Sequence, residues 1–456
     1  MKKLLIVLLS IITVFSFAFM IGCQTNPPDG ETPGDTPNGE NPPVVYQFKT
    51  SELSKYVIVY DDSNPDYFTL ASKLKTRLKT KYNVNLMTKN DEQFDPTDYE
   101  ILIGDTNRYD HVSKVMEYSV TVDNGYFRVN VGGSYSADKA VTYLCDKVFT
   151  GQDLVLDNGE YYQKSLLNSI RAMTNDATAR IMSANILADV FANGSHNKAY
   201  YRGELFAGML VAFKPDAVGL QETDENWNDV INDYLTRIQK AYDINYARHL
   251  ALYEGKINYT SLLYRADKYK VDNSGVKVFS WWTNGAFSHN YHMRNISWAQ
   301  FTSLTDATEK FILANTHWSY RTEHDNGYTY LAGSSTPIAT NELRTQCKDE
   351  TNNYMTTLKQ TYSSMPIFLT GDFNTSLSFF TEKNSAYNWT PTSYNIISEQ
   401  AKSNGTSVST VPTSGHYDHI FATGNYTVKR YEFFSGATNQ HTLLSDHPFV
   451  FTDVKF

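Results

Sequence analysis

The sequence predicts an α/β protein with two globular parts behind an N-terminal leader and a tether. Three observations carry this reading. Short apolar runs alternate with amphipathic stretches from residue 46 to the end, the order expected when helices cover sheets. Hydrophobic residues make up 41% and charged residues 20% of the 456-residue chain, enough to fill more than one core. Residues 24–45 are built from Pro, Gly, Asn, Thr and Asp, which bury too little to offset their ordering entropy and form a Pro-stiffened spacer.

The leader comes first. Lys2 and Lys3 precede an apolar run, Leu4 to Ile21, that ends in Gly22-Cys23. Charge, apolar stretch and small residue in that order read as a secretory signal, a better account than a transmembrane anchor, for which the run is barely long enough. Met20-Ile21-Gly22-Cys23 resembles a bacterial lipobox. The resemblance implies that residues 1–22 are removed, that Cys23 is lipidated, and that 23–45 tethers an extracytoplasmic, membrane-anchored lipoprotein. The other cysteines, Cys145 and Cys347, fall in different predicted domains and read as isolated buried thiols rather than a disulfide.

The first globular part spans 46–167. Tyr56 to Tyr60 and Tyr99 to Gly104 read as buried strands, and Asn64-Pro65 opens a helix carrying Ala71, Leu74 and Leu78 on one face. Tyr126 to Val131 is a third strand, and Gly132-Gly133 turns the chain into a helix from Ala137 to Val148. This small α/β pattern resembles the domain that precedes the barrel in α-glucuronidases and β-hexosaminidases, which implies a glycan-associated role. No barrel follows, so glycan cleavage is not implied, and Asp61-Asp62 and Asp105-Thr106-Asn107-Arg108 read as strand-end turns.

The second part spans 177–456. Arg180 to Asn185 is an apolar strand ending in Asn, and a helix with Leu205, Met209 and Phe213 follows and stops at Pro215. Three later segments share one design. Ala217 to Leu220 leads into Gln221-Glu222, Phe311 to Ala314 into Asn315-Thr316-His317, and Ile367 to Thr370 into Gly371-Asp372-Phe373-Asn374. Each buried strand delivers a carboxylate, imidazole or amide at its last step, so strands sharing a sheet system would gather these groups at one rim. Tyr417-Asp418-His419-Ile420-Phe421 and Ser445-Asp446-His447-Pro448 complete the set.

Any one of these segments is compatible with an ordinary strand end or turn. The six in this order are not, and over 177–456 they resemble the endonuclease/exonuclease/phosphatase superfamily. The resemblance implies a four-layer α/β sandwich with two central mixed sheets. It also implies hydrolysis of a phosphoester, most simply a phosphodiester, by activated water with Mg²⁺ or Mn²⁺. Anionic phosphoesters repel nucleophiles, so the chemistry needs charge neutralisation, an activated water and donors to the phosphoryl oxygens. On that reading Glu222, Asn185 and Asp446 hold the metal. His447 acts as general base oriented by Asp418, while Asp372 binds or polarises the water and is the alternative proton acceptor. Asn374 and His317 donate to the phosphoryl oxygens, and Arg294 binds the phosphate. Leu187 stands where some nucleases carry a further acidic ligand, which leaves one metal or two open.

The residues also narrow the substrate. With 40 Lys+Arg against 49 Asp+Glu and a net charge of −9, extended nucleic-acid binding is not favoured. Gly415-His416-Tyr417-Asp418-His419 departs from the inositol-phosphatase pattern. A glycan- or lipid-linked phosphoester remains, with Trp281-Trp282 as a candidate contact to lipid or sugar; secreted nuclease and sphingomyelinase-like activities are the alternatives within the family. A non-catalytic surface glycan-binding protein is the competing class, and it would be expected to have lost one of Glu222, Asp372, Asn374, Asp418 or His447, all of which are present. The anchor has a direct test: Cys23→Ala should abolish incorporation of a diacylglycerol label and shift the protein from the membrane to the soluble fraction. Undiminished labelling of Cys23→Ala would contradict the anchor.

Overall fold

Asn64 and Pro65 start the first helix as their chemistry requires. The Asn64 side chain accepts the Asp66 amide at 3.0 Å, and proline sits in the first turn, where its missing N–H costs no bond. The computed structural model describes residues 46–456 apart from 110, 168–169, 190–191, 193–198, 251, 254–255, 258, 281–293, 320–328, 331–336, 339, 377–378, 381–389, 392–416 and 434–443. Cys23 with its tether, Trp281-Trp282 and Gly415-His416 therefore lie outside the described residues. Residues from Val45 onward form one compact unit.

In the first part, helices Pro65–Tyr82 (α1) and Ser134–Tyr143 (α2) cover one face of a six-stranded sheet. Its strands are β1 (Val57–Tyr60), β2 (Met87–Asn90), β3 (Glu100–Ile103), β4 (Glu117–Asp123), β5 (Tyr126–Val131) and β6 (Gly159–Ser165), in the order β2-β1-β3-β5-β4-β6. Helix α2 starts at Ser134, three residues before the expected Ala137, because Ser136 Oγ accepts the Gly133 amide at 3.1 Å and stabilises an earlier first turn. Cys145 and Cys347 are both buried and form no disulfide with each other, as expected.

Two further six-stranded sheets make the second part. The first has β7 (Ala179–Asn185), β8 (Ala217–Gln221), β9 (Tyr246–His249) and β10 (Leu262–Arg265). The second has β11 (Tyr269–Val278), β12 (Asn295–Ser303), β13 (Lys310–His317), β14 (Ile367–Asp372), β15 (Thr390–Pro391) and β16 (Asp418–Thr423). The last strands, β17 (Thr427–Phe433) and β18 (Val450–Lys455), return to the first sheet, whose order is β9-β10-β8-β7-β18-β17; the second runs β11-β12-β13-β14-β16-β15. Both sheets mix parallel and antiparallel pairs.

Strand alternation assigns the layers. Met182, Ala184, Val218 and Leu220 face outward onto helices Ala199–Phe213 (α3) and Glu225–Tyr242 (α4). Ile181, Ala217, Phe311, Leu313 and Phe368 face inward and form the core between the sheets. Ile312, Ala314, Ile367 and Leu369 face outward again, onto helix Thr340–Thr361 (α5), against Leu343, Met355 and Leu358. The order helix, sheet, sheet, helix is the expected four-layer α/β sandwich.

The small sheet docks on the helix layer of the sandwich. The Glu204 carboxylate on α3 is fully buried and accepts the Met116 amide at 2.7 Å and the Ser136 amide at 2.8 Å, which places it at the N-terminus of α2. Arg237 on α4 reaches Asp105 at 2.8 Å, and Tyr242 Oη donates to Val115 O at 2.9 Å. Val115, Met116 and Tyr135 share one apolar cluster with α3 and α4.

A polar seam holds the two large sheets face to face. Gln221 Nε2 donates to Asn315 Oδ1 at 2.6 Å, and Asn315 Nδ2 donates to Leu220 O at 2.7 Å. The sheets approach closely because Gly219 has no side chain; a Cβ there would meet Thr370 Oγ1 at 2.0 Å and Asn315 Oδ1 at 2.6 Å. Gly219→Ala should therefore destabilise the fold by on the order of 1–3 kcal/mol, the usual cost of overpacking. Equilibrium unfolding in denaturant reads this directly, and an unchanged midpoint would mean the sheets are not locked at this point.

Candidate functional site

The last inward-facing positions of adjacent strands fall at one rim. In the second sheet, His317 on β13 pairs in register with Asp372 on β14, and Asp372 pairs with Asp418 on β16. In the first sheet, Asn185 on β7 pairs with Gln221 on β8, and Glu222 follows immediately. Inward alternation aims the row His317, Asp372, Asp418 at the row Asn185, Gln221. The polar groups are buried because the core between the sheets runs up to them.

Asn185 joins the two rows. Its Nδ2 donates to Glu222 Oε1 and to Asp372 Oδ2, each at 3.0 Å. His317 Nε2 lies 3.3 Å from Asp372 Oδ2 and 4.0 Å from Glu222 Oε1. His447 Nδ1 lies 2.8 Å from Asp418 Oδ2, and its Nε2 points to Asp372 Oδ2 at 3.7 Å. Asp372 Oδ1 accepts the Asn374 amide at 2.8 Å, while Asn374 Nδ2 donates to Trp318 O at 2.8 Å. One of the two amide hydrogens of Asn374 is thus spent on the backbone.

The remaining sequence candidates are placed as follows. Arg294 is buried one residue before β12; continuing the pairing of Ile296 with Thr316 sets it across from Trp318, at the same rim. Asp446 is exposed, with its Oδ1 at 3.5 Å from Ser445 Oγ. Among the described residues, two groups could hold a cation, Glu222–His317–Asp372 and Asp372–Asp418–His447. Asp372 belongs to both groups and Asp446 to neither.

Electrostatics follow from this packing. Burial pushes the Glu222 carboxyl up, but the His317 imidazole, the Ala188 amide and the Asn185 amide outweigh it and hold the group below its ordinary value. Burial also pushes Asp372 up, and His447, His317 and the Asn374 amide reverse this, holding it well below the usual carboxylate range. For His447 burial favours the neutral ring, yet Asp418 and Asp372 win and raise its pKa. Burial raises the Asp418 carboxyl, and His447 pulls it part of the way back. His419, on the outward face of β16 beside Phe373, Phe380 and Phe421, is pulled down to about 4 by burial and stays neutral.

The donor set suits a hard divalent cation. Half-buried Glu222 and buried Asp372 bring two carboxylates to one amide, and carboxylate oxygens are ligands that Mg²⁺ and Mn²⁺ prefer. Two anions this close in a low-dielectric site repel, and a cation offsets that repulsion more fully than an amide can.

Backbone strain concentrates here. Leu187, Glu222 and Asn374 all lie in the left-handed region, at φ of 57°, 64° and 51°, a conformation costing roughly 1–3 kcal/mol per non-glycine residue. A cage compensates it. Asn185 Oδ1 accepts the Leu187 amide at 3.0 Å and Glu222 Oε2 accepts the Ala188 amide at 2.9 Å. Arg202 on α3 donates through Nη1 to Ile186 O, to Leu187 O at 2.9 Å and to Leu444 O at 3.1 Å. Its guanidinium lies over Trp227, whose Nε1 also donates to Leu187 O at 2.9 Å. Ser445 Oγ donates to Asn185 O at 2.6 Å and accepts the His447 amide at 3.1 Å, tying the C-terminal segment to β7. Sequence reasoning missed Arg202 and Trp227. The available signal was Arg202 and Glu204, two opposite charges inside an otherwise apolar helix.

A family model described as the endonuclease/exonuclease/phosphatase family matches residues 182–447. No curated protein sequence matches the chain. Among solved structures, the chain is similar to an endonuclease/exonuclease/phosphatase from Bacteroides vulgatus, with 19% identity over 61% of this chain and 98% of that one and a TM-score of 0.42. It is similar to the human Nocturnin catalytic domain with bound sulfate anion, with 17% identity, 62% and 96% coverage and a TM-score of 0.43. It is also similar to the mannosyl-6-phosphatase of Bacteroides thetaiotaomicron, with 19% identity, 61% and 100% coverage and a TM-score of 0.41.

The cage around Leu187 makes its own prediction. Arg202→Met removes the Arg202 donor from the carbonyls of Ile186 and Leu444 and leaves Leu187 O with Trp227 Nε1 alone, so stability should fall by about 1–3 kcal/mol. Turnover of any substrate should fall further than the unfolded fraction explains. Chemical denaturation and activity measured on the same preparation check this; full activity in a destabilised Arg202→Met protein would show that the cage does not position the site.

Proposed function

Because the chain belongs to the endonuclease/exonuclease/phosphatase family, whose members are phosphoester hydrolases, we propose that it is a divalent-metal-dependent phosphodiesterase that acts by an activated water. We place it at the cell surface, held there by lipid on Cys23, and take its substrate to be a glycan- or lipid-linked phosphodiester. The observation that carries the catalytic reading is the row His317, Asp372, Asp418 set against Asn185 and Glu222, with His447 bonded to Asp418 at 2.8 Å.

Glu222 and Asp372 would hold the metal, with Asn185 orienting both carboxylates. A bound divalent cation would neutralise negative charge on the phosphoryl oxygens and lower the pKa of a water beside it. The chain supplies the rest. Asp418 holds the His447 ring through Nδ1 and leaves Nε2 facing the cleft, where it takes the proton of the attacking water. Asp372 already accepts from the Asn185 side chain and the Asn374 amide and would also hold the metal, so we assign the proton transfer to His447. His317 Nε2 and the second amide hydrogen of Asn374 donate to the phosphoryl oxygens, and Arg294 adds a positive charge at the same rim.

Glu222 and His447 should fail in different ways. Glu222→Gln should weaken metal affinity, and raised Mg²⁺ or Mn²⁺ should recover part of the rate. His447→Ala should lose on the order of 10²–10⁴ in rate, and metal should not restore it. The assay is turnover across a panel of sphingomyelin, DNA, RNA, glycan phosphodiesters and inositol phosphates. Activity that survives chelation, or metal rescue of His447→Ala, would contradict the assignment.

The pH dependence has a definite sign. The base must be neutral, so activity falls as pH drops through the imidazole pKa, which Asp418 and Asp372 raise above its ordinary value. Asp418→Asn removes one of these charges, so the acid limb should move to lower pH while the maximal rate falls. A pH–rate profile of the two proteins reads this; an acid limb that stays put or moves up would rule out His447 as the base.

A further inference from the structure

Among the described residues, Arg248 is a cation without a counter-charge beside the candidate site. It is the next-to-last residue of β9, which ends at the rim where β8 delivers Gln221 and Glu222, because β9 and β8 both pair antiparallel with β10. Its Nε donates to Ser261 Oγ at 3.1 Å, and Ser261 Oγ lies 3.1 Å from Thr223 Oγ1. Two hydrogen bonds therefore join Arg248 to the residue that follows Glu222. Both terminal nitrogens, Nη1 and Nη2, are closed off from solvent and meet no acceptor among the described residues.

Three enclosed arginines, Arg180, Arg108 and Arg202, show what such a group can have. Arg180 is held by Asp453 at 2.6 and 2.9 Å and by the carbonyls of Arg171, Ala172 and Phe213. Arg108 is held by Glu100 at 3.1 Å and by the carbonyls of Asp91 and Phe94. Arg202 has its three carbonyls and Asp189 at 3.8 Å. Arg248 has one hydroxyl. Burial alone acts on it, pulling its pKa down to about 10 with no acidic group opposing the shift. A guanidinium cannot shed this cost by deprotonating near neutral pH, and an uncompensated enclosed charge is expensive. Its planar fork of N–H donors matches a phosphate or carboxylate in two-point contact.

We propose that Arg248 anchors an oxyanion subsite beside the reaction centre, taking a second phosphate or carboxylate carried by the substrate in addition to the scissile phosphoester. The proposal rests on the phosphoesterase reading for its catalytic half, and on the unpaired guanidinium alone for its binding half. Nε stays on Ser261 and keeps the side chain aligned, while Nη1 and Nη2 receive the anion. The substrate class is thus a phosphoester with a neighbouring anionic group, as in a phosphorylated or acidic sugar.

The two halves are tested separately on the full chain. The first experiment titrates inorganic phosphate by calorimetry in the presence of a chelator, so that metal-bound phosphate does not contribute. Wild type should bind phosphate, and Arg248→Met should bind it on the order of ten- to a hundredfold more weakly, as expected when a charge-assisted contact is lost; Arg248→Lys should recover part of the affinity. The second compares two phosphodiesters that differ only in an added phosphate. Arg248→Met should raise KM about tenfold for the doubly anionic one, with kcat within about twofold and little change for the other. Equal phosphate binding by wild type and Arg248→Met overturns the subsite. Phosphate binding through Arg248 with KM for both diesters unchanged shows a site for a free anion and overturns the substrate assignment. Absence of turnover for every phosphoester defeats the catalytic reading, and the chelator titration still decides the subsite.

Discussion

Two carboxylates from different sheets, Glu222 and Asp372, converge on one amide group of Asn185, and most of the local architecture serves to keep them there. Like charges this close in a protein interior repel strongly, so the arrangement persists only if the backbone on both sides is over-determined. The seam of Gln221 and Asn315 fixes the distance between the sheets, and Gly219 permits it. The left-handed backbone at Leu187, Glu222 and Asn374 turns the chain sharply at the rim three times, and Arg202, Trp227 and Ser445 hold the first of these turns. Strain of this kind, placed at a site and compensated by its surroundings, is how a protein keeps a geometry it would otherwise relax.

Helix α3 connects this site to the rest of the molecule. Arg202 grips the loops after β7 and before His447, and Glu204, two residues on, accepts two amides from the first part of the chain. The small sheet and the candidate site therefore contact the same helix at neighbouring positions. Truncating the small sheet would expose Glu204 and uncover the apolar cluster shared by Met116, Tyr135 and the outer helices.

Much of this was legible in the sequence because strand period and residue type coincide. Asn185, His317 and Asp372 each end an apolar strand, and an alternation of two necessarily puts them on the inward side when Ile181, Leu313 and Phe368 are inward. The helix start at Asn64-Pro65 was legible for a local reason, its cap. Strands β2 and β6 were not, since Met87–Asn90 and Gly159–Ser165 are largely exposed and carry no apolar run. Neither was the sharing of Asp372 between two groups, because register between strands distant in sequence decides it. Arg202 escaped notice because its role depends on carbonyl groups, which no sequence pattern displays. Arg248 stands out only once its partners are set beside those of Arg108, Arg180 and Arg202.

The central claim is that Glu222 and Asp372 form one cation site spanning two sheets. Calorimetric titration of Mn²⁺ into the full chain, without substrate, tests it most directly. The account predicts saturable binding in the wild type that is lost in Asp372→Asn and strongly weakened in Glu222→Gln, each variant remaining folded by circular dichroism. Wild-type affinity in a folded Asp372→Asn protein would contradict it.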